Sequence, residues 1–124
     1  MADIPWFKRL NDIATFGRAS AFKCPLGADQ NSAPLQFGHM ADRCLQVVGT
    51  FDGTTLTVEG TNDWVDDPAP TWTGLHDTNG DVISITSAAI VQILENPARM
   101  RLVTTGGDDA TTTAIVGYLH IARS

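Results

Sequence analysis

The fold of this chain is decided by residues 45–59, which read LQVVGTFDGTTLTVE. Apolar and polar residues alternate on both sides of Asp52-Gly53, a pair typical of the tight turn between two antiparallel strands. Alternation of this kind places one side of each strand on a core. The stretch therefore predicts a β-hairpin in which Leu56 and Val58 point inward.

Short alternating segments continue downstream of this stretch, separated by turn residues. We predict further strands over residues 71–76, 82–86, 99–105 and 112–122, with Asn79-Gly80 as one of the turns. Residues 88–94 fit either a helical turn or a fully buried strand. Regularly spaced short strands are typical of a β-sandwich or a barrel. Residues 40–124 are thus predicted to form one all-β, antiparallel domain.

The segment before this domain has a different composition. Residues 1–39 hold aromatic residues among small and polar ones, with no sustained period. A short helix fits residues 6–14, because Pro5 suits a first helical position, and a short strand fits residues 17–23. Residues 24–34 are rich in turn formers and predict a loop. We interpret residues 1–39 as an extended N-terminal arm that precedes the sandwich.

The length and the charge of the chain exclude several classes of function. The 124 residues allow one domain, and 14 acidic against 8 basic residues give a net charge of −6. Nucleic-acid binding needs rows of basic residues, so DNA, RNA and anionic membranes are not expected partners. No apolar stretch is long enough to span a bilayer, and residues 1–10 lack the features of a signal peptide. We expect synthesis in a cytoplasm, with Cys24 and Cys44 as free thiols.

The motifs of common enzymes and metal sites are missing from the sequence. His39, His76 and His120 lack metal-ligand spacing, and neither a nucleophile elbow nor a phosphate-binding glycine loop occurs. The sequence predicts no catalytic residue, no cofactor and no metal. Residues 77–81, DTNGD, resemble the first half of a calcium loop but lack its later acidic ligand, so we favour a hairpin turn. The other loop acids could converge on a cation or simply be solvated: Asp63, Asp66, Asp67, Asp108 and Asp109.

Two tryptophans lie in or beside the acidic loop over residues 60–70. Exposed Trp64 and Trp72 could stack on sugar rings or anchor a protein partner. They could equally cap the ends of their own core.

Residues 47–64, VVGTFDGTTLTVEGTNDW, resemble a pattern found in small structural proteins of phage particles. Downstream segments follow in the same order, including an Asn-Pro turn and the strand over residues 99–103. The sequence departs from the pattern at Thr61, where serine is usual, and in the loop Asp66-Asp67-Pro68. The resemblance covers about residues 44–122. It implies a jelly-roll-like sandwich and a virion component such as a capsid cement protein, head fibre or tail-associated domain.

The resemblance further implies a capsid decoration (cement) protein on the outside of the head, made in the host cytoplasm. Its partners would be the major capsid protein and further copies of itself, as a homodimer or homotrimer. The alternative is a tail, fibre or glycan-binding module of the virion. The expected contact residues are aromatic: Trp6, Phe7 and Phe16 in the arm, with Trp64 and Trp72 as second candidates.

Overall fold

The computed structural model describes residues 3–8, 19–36, 42–108, 112 and 115–122. These residues form strands and no helix, and none of them belongs to a segment that could cross a membrane as a helix. The strands are β1 (Phe7–Lys8), β2 (Ala19–Leu26), β3 (Leu35–Gln36), β4 (Asp42–Val48), β5 (Thr55–Thr61), β6 (Thr73–Gly74), β7 (Ser84–Ile85), β8 (Ala89–Ile93), β9 (Arg99–Thr105) and β10 (Ile115–Ala122).

The strands form two antiparallel sheets. The first sheet has the order β1-β2-β10-β4-β8, and the second has the order β3-β9-β5-β6, with β7 also paired to β5. The predicted antiparallel β-sandwich is therefore confirmed.

The core lies between the two sheets, because the long strands mostly alternate buried side chains with more accessible ones. The sheets approach closely at Gly117, where an added Cβ would lie 2.5 Å from Leu102 Cδ1. The side chains exposed by no more than 1% include Leu45, Val47, Leu56, Val58, Met100, Leu102, Ile115, Leu119 and Ile121.

The hairpin predicted for residues 45–59 is wrong in its pairing. The turn is present, with Asp52 and Gly53 at φ of 38° and 85° and Thr54 N donating to Phe51 O. However, β4 pairs with β10 and β8, whereas β5 pairs with β9, β6 and β7. The turn therefore carries the chain from the first sheet to the second, since turn residues fix a local bend and not the partner of each strand.

The described part of residues 1–39 is built into the sandwich, whereas the sequence analysis placed it in an arm. β2 pairs with β10 from Leu26–Ile115 to Ala19–Ala122, and Cys24 and Leu26 are buried. The strand predicted over residues 17–23 thus exists but continues through Pro25. Phe7 lies in β1, not in a helix, and residues 9–14 of that predicted helix lie outside the described residues.

Strand β8 resolves the ambiguity at residues 88–94. It is a half-exposed outer strand of the first sheet, neither helical nor fully buried. At its end, Ile93 forms an antiparallel β-bridge with Asp77, and the next residue, Leu94, donates its N–H to His76 O. Since β6, just before His76, pairs with β5, residues 73–77 join the two sheets along one corner of the sandwich.

The remaining predictions of strand positions are confirmed for residues 99–105 and 112–122, whereas residues 71–76 and 82–86 contain only the two-residue strands β6 and β7. β9 coincides with the predicted residues 99–105, and β10 lies within residues 112–122. Ile83 and Ile85 are both buried, and Asn79-Gly80 lies in the turn before them.

Candidate partner-binding surfaces

The segment Thr61–Thr71, here called the Trp64 loop, exposes a large apolar group. The side chain of Trp64 is 81% exposed and that of Val65 is 69% exposed. Asp66 and Asp67 beside them are also exposed, and the loop contains no basic residue. The prediction that this tryptophan caps its own core does not hold, whereas partner contact stays a prediction.

The backbone of the Trp64 loop is held in place by hydrogen bonds. Arg99 Nη2 donates to the carbonyl oxygens of Asp63 and Trp64, at 3.3 Å each. Asp67 N donates to Trp64 O at 2.9 Å, and Thr71 N donates to the Asp63 carboxylate. A partner that bound Trp64 would therefore meet an ordered loop, which lowers the entropy cost of binding.

Trp72 lies against the outside of the second sheet and is only half-buried. The guanidinium carbon of Arg101 lies 4.3 Å from its ring centroid, and that of Arg99 lies 5.8 Å away. Arg101 also forms an ion pair with Glu59, with Nη2 and Oε1 2.8 Å apart. The ring of Trp72 is thus already used within the chain, through cation–π contacts.

The arm aromatics have different environments. Trp6 packs on the core, meets Phe22 edge to face, and donates from Nε1 to Ala33 O at 2.8 Å. The sequence analysis assigned Trp6 to a partner chain, but its side chain finds partners in its own chain. Phe7 is 51% exposed, and Phe16 lies outside the described residues.

The outer side of the first sheet, here called the apolar face, carries few charges. One row of residues crosses all five strands in register: Phe7, Lys23, Tyr118, Gln46 and Ile90. The neighbouring rows contain Pro25, Val116 and Val48 on one side, and Ala21, His120, Cys44 and Gln92 on the other. Ile90 is 65% exposed and Tyr118 is 43% exposed.

A hollow of about 390 Å³, here called the side hollow, opens on the apolar face where β1, β2 and β10 meet. Its walls include Phe7, Phe22, Lys23, Tyr118 and His120. Lys23 is exposed and has no ion pair among the described residues. The side hollow therefore combines aromatic walls with one positive charge.

A second hollow, of about 450 Å³, is polar and lies near the corner where the sheets join. His76 and Glu95 border it, and both the backbone N–H and the ring Nδ1 of His76 contact the Glu95 carboxylate. Partial burial alone would raise the pKa of Glu95, but the hydrogen bonds from His76 outweigh it and lower that pKa. The Glu95 carbonyl also accepts a bond of 2.8 Å from the buried Arg43.

In the turn over residues 77–81, the carboxylate of Asp77 accepts hydrogen bonds from within the turn. Asp77 Oδ1 accepts hydrogen bonds from the N–H groups of Asn79 and Asp81, at 2.9 and 3.1 Å. The structure therefore supports the hairpin-turn interpretation over the calcium loop. Among the described residues, no group of three or more His, Cys, Asp or Glu side chains is placed to hold a metal ion.

The two cysteines are free thiols in the structure, as predicted. Cys24 faces the core, and burial raises the pKa of its thiol to about 12. Cys44 is half-buried on the apolar face.

No protein-family profile matches this chain, and no curated protein sequence matches it. Among solved structures, it is similar to the SPBc2 prophage-derived protein YomS. The TM-score is 0.61 at 9% identity, over 83% of this chain and 91% of that one. A recombinant oxalate oxidase in complex with glycolate gives a TM-score of 0.50 at 10% identity, over 95% of this chain and 50% of that one.

At these identities the likeness defines the fold alone. The chain is an antiparallel β-sandwich of the jelly-roll-like class, and a fold of this kind occurs in a prophage-derived protein. The expectation that the chain is not an enzyme stays a prediction, since one structural neighbour is an oxidase.

Trp64 is a contact candidate already in the sequence, whereas the apolar face was not predicted. A signal was present in the sequence, because the outward positions of β8 and β10 carry no acidic, lysine or arginine side chain: Ile90, Gln92, Val116, Tyr118 and His120. Recognising the face required knowledge that these two strands belong to one sheet.

Proposed function

We propose that this protein is a structural component of a bacteriophage particle that decorates the outside of the assembled head by binding the major capsid protein. The observation that carries the proposal is the apolar face. In a chain of net charge −6, the outer side of the first sheet exposes Phe7 on one edge strand, Tyr118 on the central strand and Ile90 on the other edge strand. Exposed apolar surfaces of this extent mark contact sites for other proteins.

The remaining surface agrees with an exterior position. Its negative charge gives no affinity for the packaged genome, because nucleic acid repels acidic proteins. The likeness of fold to a prophage-derived protein adds support for a phage origin.

A decoration protein acts by differential binding. It binds the assembled shell more tightly than free capsid subunits, so mass action favours the assembled state. The apolar face is suited to this role because a sheet is a rigid platform, and a rigid surface loses little entropy when it is covered. No catalytic group is required.

The first experiment measures the copy number of this protein in purified particles of the phage that encodes it, relative to the major capsid protein, by quantitative mass spectrometry. A fixed ratio near one copy for each capsid subunit, or for each local symmetry axis, supports decoration. A few copies per particle would indicate a component of the tail or fibres. Absence from the particles rejects a role in the virion.

A second experiment tests the surface. Ile90→Ser should weaken binding to undecorated heads, because it removes an exposed apolar group from the part of the apolar face on β8. Val103→Ser is the matched control, since it makes the same kind of change on the outside of the second sheet. Equal loss in both variants would contradict the assignment of the apolar face.

The exposure of Trp64 favours a second candidate, a glycan-binding module of a tail or fibre. An exposed indole can stack on a sugar ring. This candidate predicts binding on a glycan array that Trp64→Ala abolishes and Tyr118→Ser leaves intact. Lack of any glycan binding, together with a high copy number, would exclude it.

A further inference from the structure

We propose that copies of this chain associate head to tail, with Trp64 and Val65 of one copy inserted into the side hollow of another. The proposal does not depend on the phage role, because it concerns contacts between copies of this chain. Two features of complementary shape support it. One is the tip, which is formed by the side chains of Trp64 and Val65, and the other is the recess formed by the side hollow.

The projecting feature is ready for insertion. Trp64 and Val65 are the most exposed large apolar side chains in the described part of the chain. Arg99 donates hydrogen bonds to the carbonyl oxygens of Asp63 and Trp64, and these bonds hold the backbone of the tip in place. Rigid tryptophans of this kind are frequent anchors in protein interfaces, since they bury a large area at small entropy cost.

The receiving feature has the matching size and walls. The side hollow has a volume of about 390 Å³, and Phe7 and Tyr118, which line it, are both exposed on the outer side of the sheet. Aromatic walls favour edge-to-face or offset contacts with an indole ring.

The charges at the rims are complementary. The exposed Asp66 and Asp67 flank the tip, whereas Lys23 stands at the side hollow without an ion pair among the described residues. A protein surface with the same properties could come from another molecule, but this chain itself supplies both halves. Complementary rim charges set the orientation and partner choice of an interface.

The tip and the side hollow of the same molecule do not contact each other. The Trp64 loop is bonded to β9 of the second sheet, and the side hollow lies on strands of the first sheet. The 81% exposure of Trp64 means that its ring is outside the side hollow of its own chain. A one-way contact between two different patches is heterologous, and it closes as a ring.

Repeated contacts are needed for stability. A buried tryptophan covers roughly 150–250 Å², whereas specific interfaces bury on the order of 1,200 Å² or more. A closed assembly gives every copy one inserted tip and one filled recess. The half of the apolar face on β4 and β8 stays uncovered and available to another partner.

The test is the molar mass of the purified full chain by light scattering over a wide concentration range. A multiple of the 13.3 kDa monomer mass is expected at high concentration. Trp64→Ala should weaken the association by roughly tenfold or more, and Tyr118→Ser should do the same. Circular dichroism checks that both variants fold, as the exposure of these side chains predicts.

Charge reversal gives a sharper version. Lys23→Glu alone, or Asp66→Lys with Asp67→Lys, should weaken association, and the combined triple variant should recover it. Val82→Ser is the matched control, because it changes another exposed apolar residue that belongs to neither feature.

Mixing experiments test the head-to-tail geometry. Trp64→Ala keeps a working side hollow, and Tyr118→Ser keeps a working tip, so their mixture should associate more than either variant alone. It should associate less than the wild type, because each mixed pair holds a single insertion. A wild-type chain that is monomeric at every concentration would overturn the proposal. So would an oligomer that Trp64→Ala leaves unchanged.

Discussion

The outer sides of the two sheets are built from similar alternating strands, yet they differ in what covers them. On the second sheet, Arg101 pairs with Glu59 and stacks on Trp72, and Arg99 binds the Trp64 loop. On the first sheet, the apolar face keeps Phe7, Tyr118 and Ile90 exposed with no covering segment among the described residues. The outer side of the second sheet is covered by side chains of its own chain, whereas the apolar face stays exposed in the part of the chain that the structure describes.

The difference follows from the residue types at outward positions. Arginine and glutamate can satisfy each other and hold a loop through directional bonds, so the second sheet gains its cover from its own chain. Apolar outward side chains have no such directional partners, and their burial requires another surface. Substitutions on the second sheet should therefore change stability, and those on the apolar face should change association.

The largest effect is expected at Arg99. Arg99→Met keeps the length of the side chain but removes the donor to the Asp63 carbonyl and leaves the Trp64 carbonyl with its bond from Asp67 N alone. We expect a loss of about 1–3 kcal/mol in the free energy of unfolding, measured by urea denaturation. Arg99→Lys should lose less, since it keeps one donor. Equal stability of Arg99→Met and the wild type would show that this residue does not hold the loop.

The next largest effect is expected at Trp72. Trp72→Ala removes the ring on which Arg101 stacks and should cost about 1 kcal/mol. A double-mutant cycle with Arg101→Ala measures the coupling directly. Trp72→Phe should retain part of it, because an aromatic ring is kept. Strict additivity in the cycle would mean that the stack contributes nothing.

A smaller effect is expected from pH at the corner that joins the sheets. The pKa of Glu95 is lowered in the folded state, so its ionised form adds stability above the pKa of the unfolded chain. This contribution is lost as the pH falls through the lowered folded-state value. The unfolding midpoint of Glu95→Gln should therefore vary less with acid than that of the wild type.

The variant His76→Gln serves as the control for this pH effect. It keeps the backbone N–H that donates to Glu95 but removes the ring contact. The unfolding midpoint of His76→Gln should change with pH less than that of the wild type and more than that of Glu95→Gln. A midpoint for Glu95→Gln that changes with acid as steeply as the wild type would contradict the role of this pair.

The smallest effect on stability is expected on the apolar face. Ile90→Thr replaces an exposed β-branched residue by a polar one of the same branching, so the free energy of unfolding should change by no more than about 0.5 kcal/mol. Its matched partner is Val91→Thr, one position along the strand, where the side chain packs on the core. A similar loss at both positions would remove the distinction between the two sides of β8.

The sequence predicted strand positions well where alternation was clean. β9 and the inward residues of β10 follow from their period alone, because a half-buried strand has to alternate. The pairing of β4 with β10 was not predictable in this way. Alternation tells which side of a strand is buried, but it does not tell which strand lies next to it.

The error over residues 1–39 has a related cause. β2 contains Pro25 and is followed by turn-forming residues, so its local composition resembles a loop. Its place in the sheet depends on β10, whose residues are far away in sequence. In the candidate sites, the exposure of Trp64 could be predicted from its polar loop, whereas the apolar face appears only when β1, β2, β10, β4 and β8 are set side by side.

The pairing of β2 with β10 also governs when the chain can fold. β10 lies between β2 and β4 in the first sheet, so each of these strands lacks one of its two neighbours until residues 115–122 have been synthesised. Pairings between distant segments close slowly, on the order of milliseconds to seconds for all-β domains. During synthesis, the nascent chain therefore exposes unpaired strand edges, which are prone to aggregation. The first sheet is therefore completed only when β10, its central strand, has been synthesised.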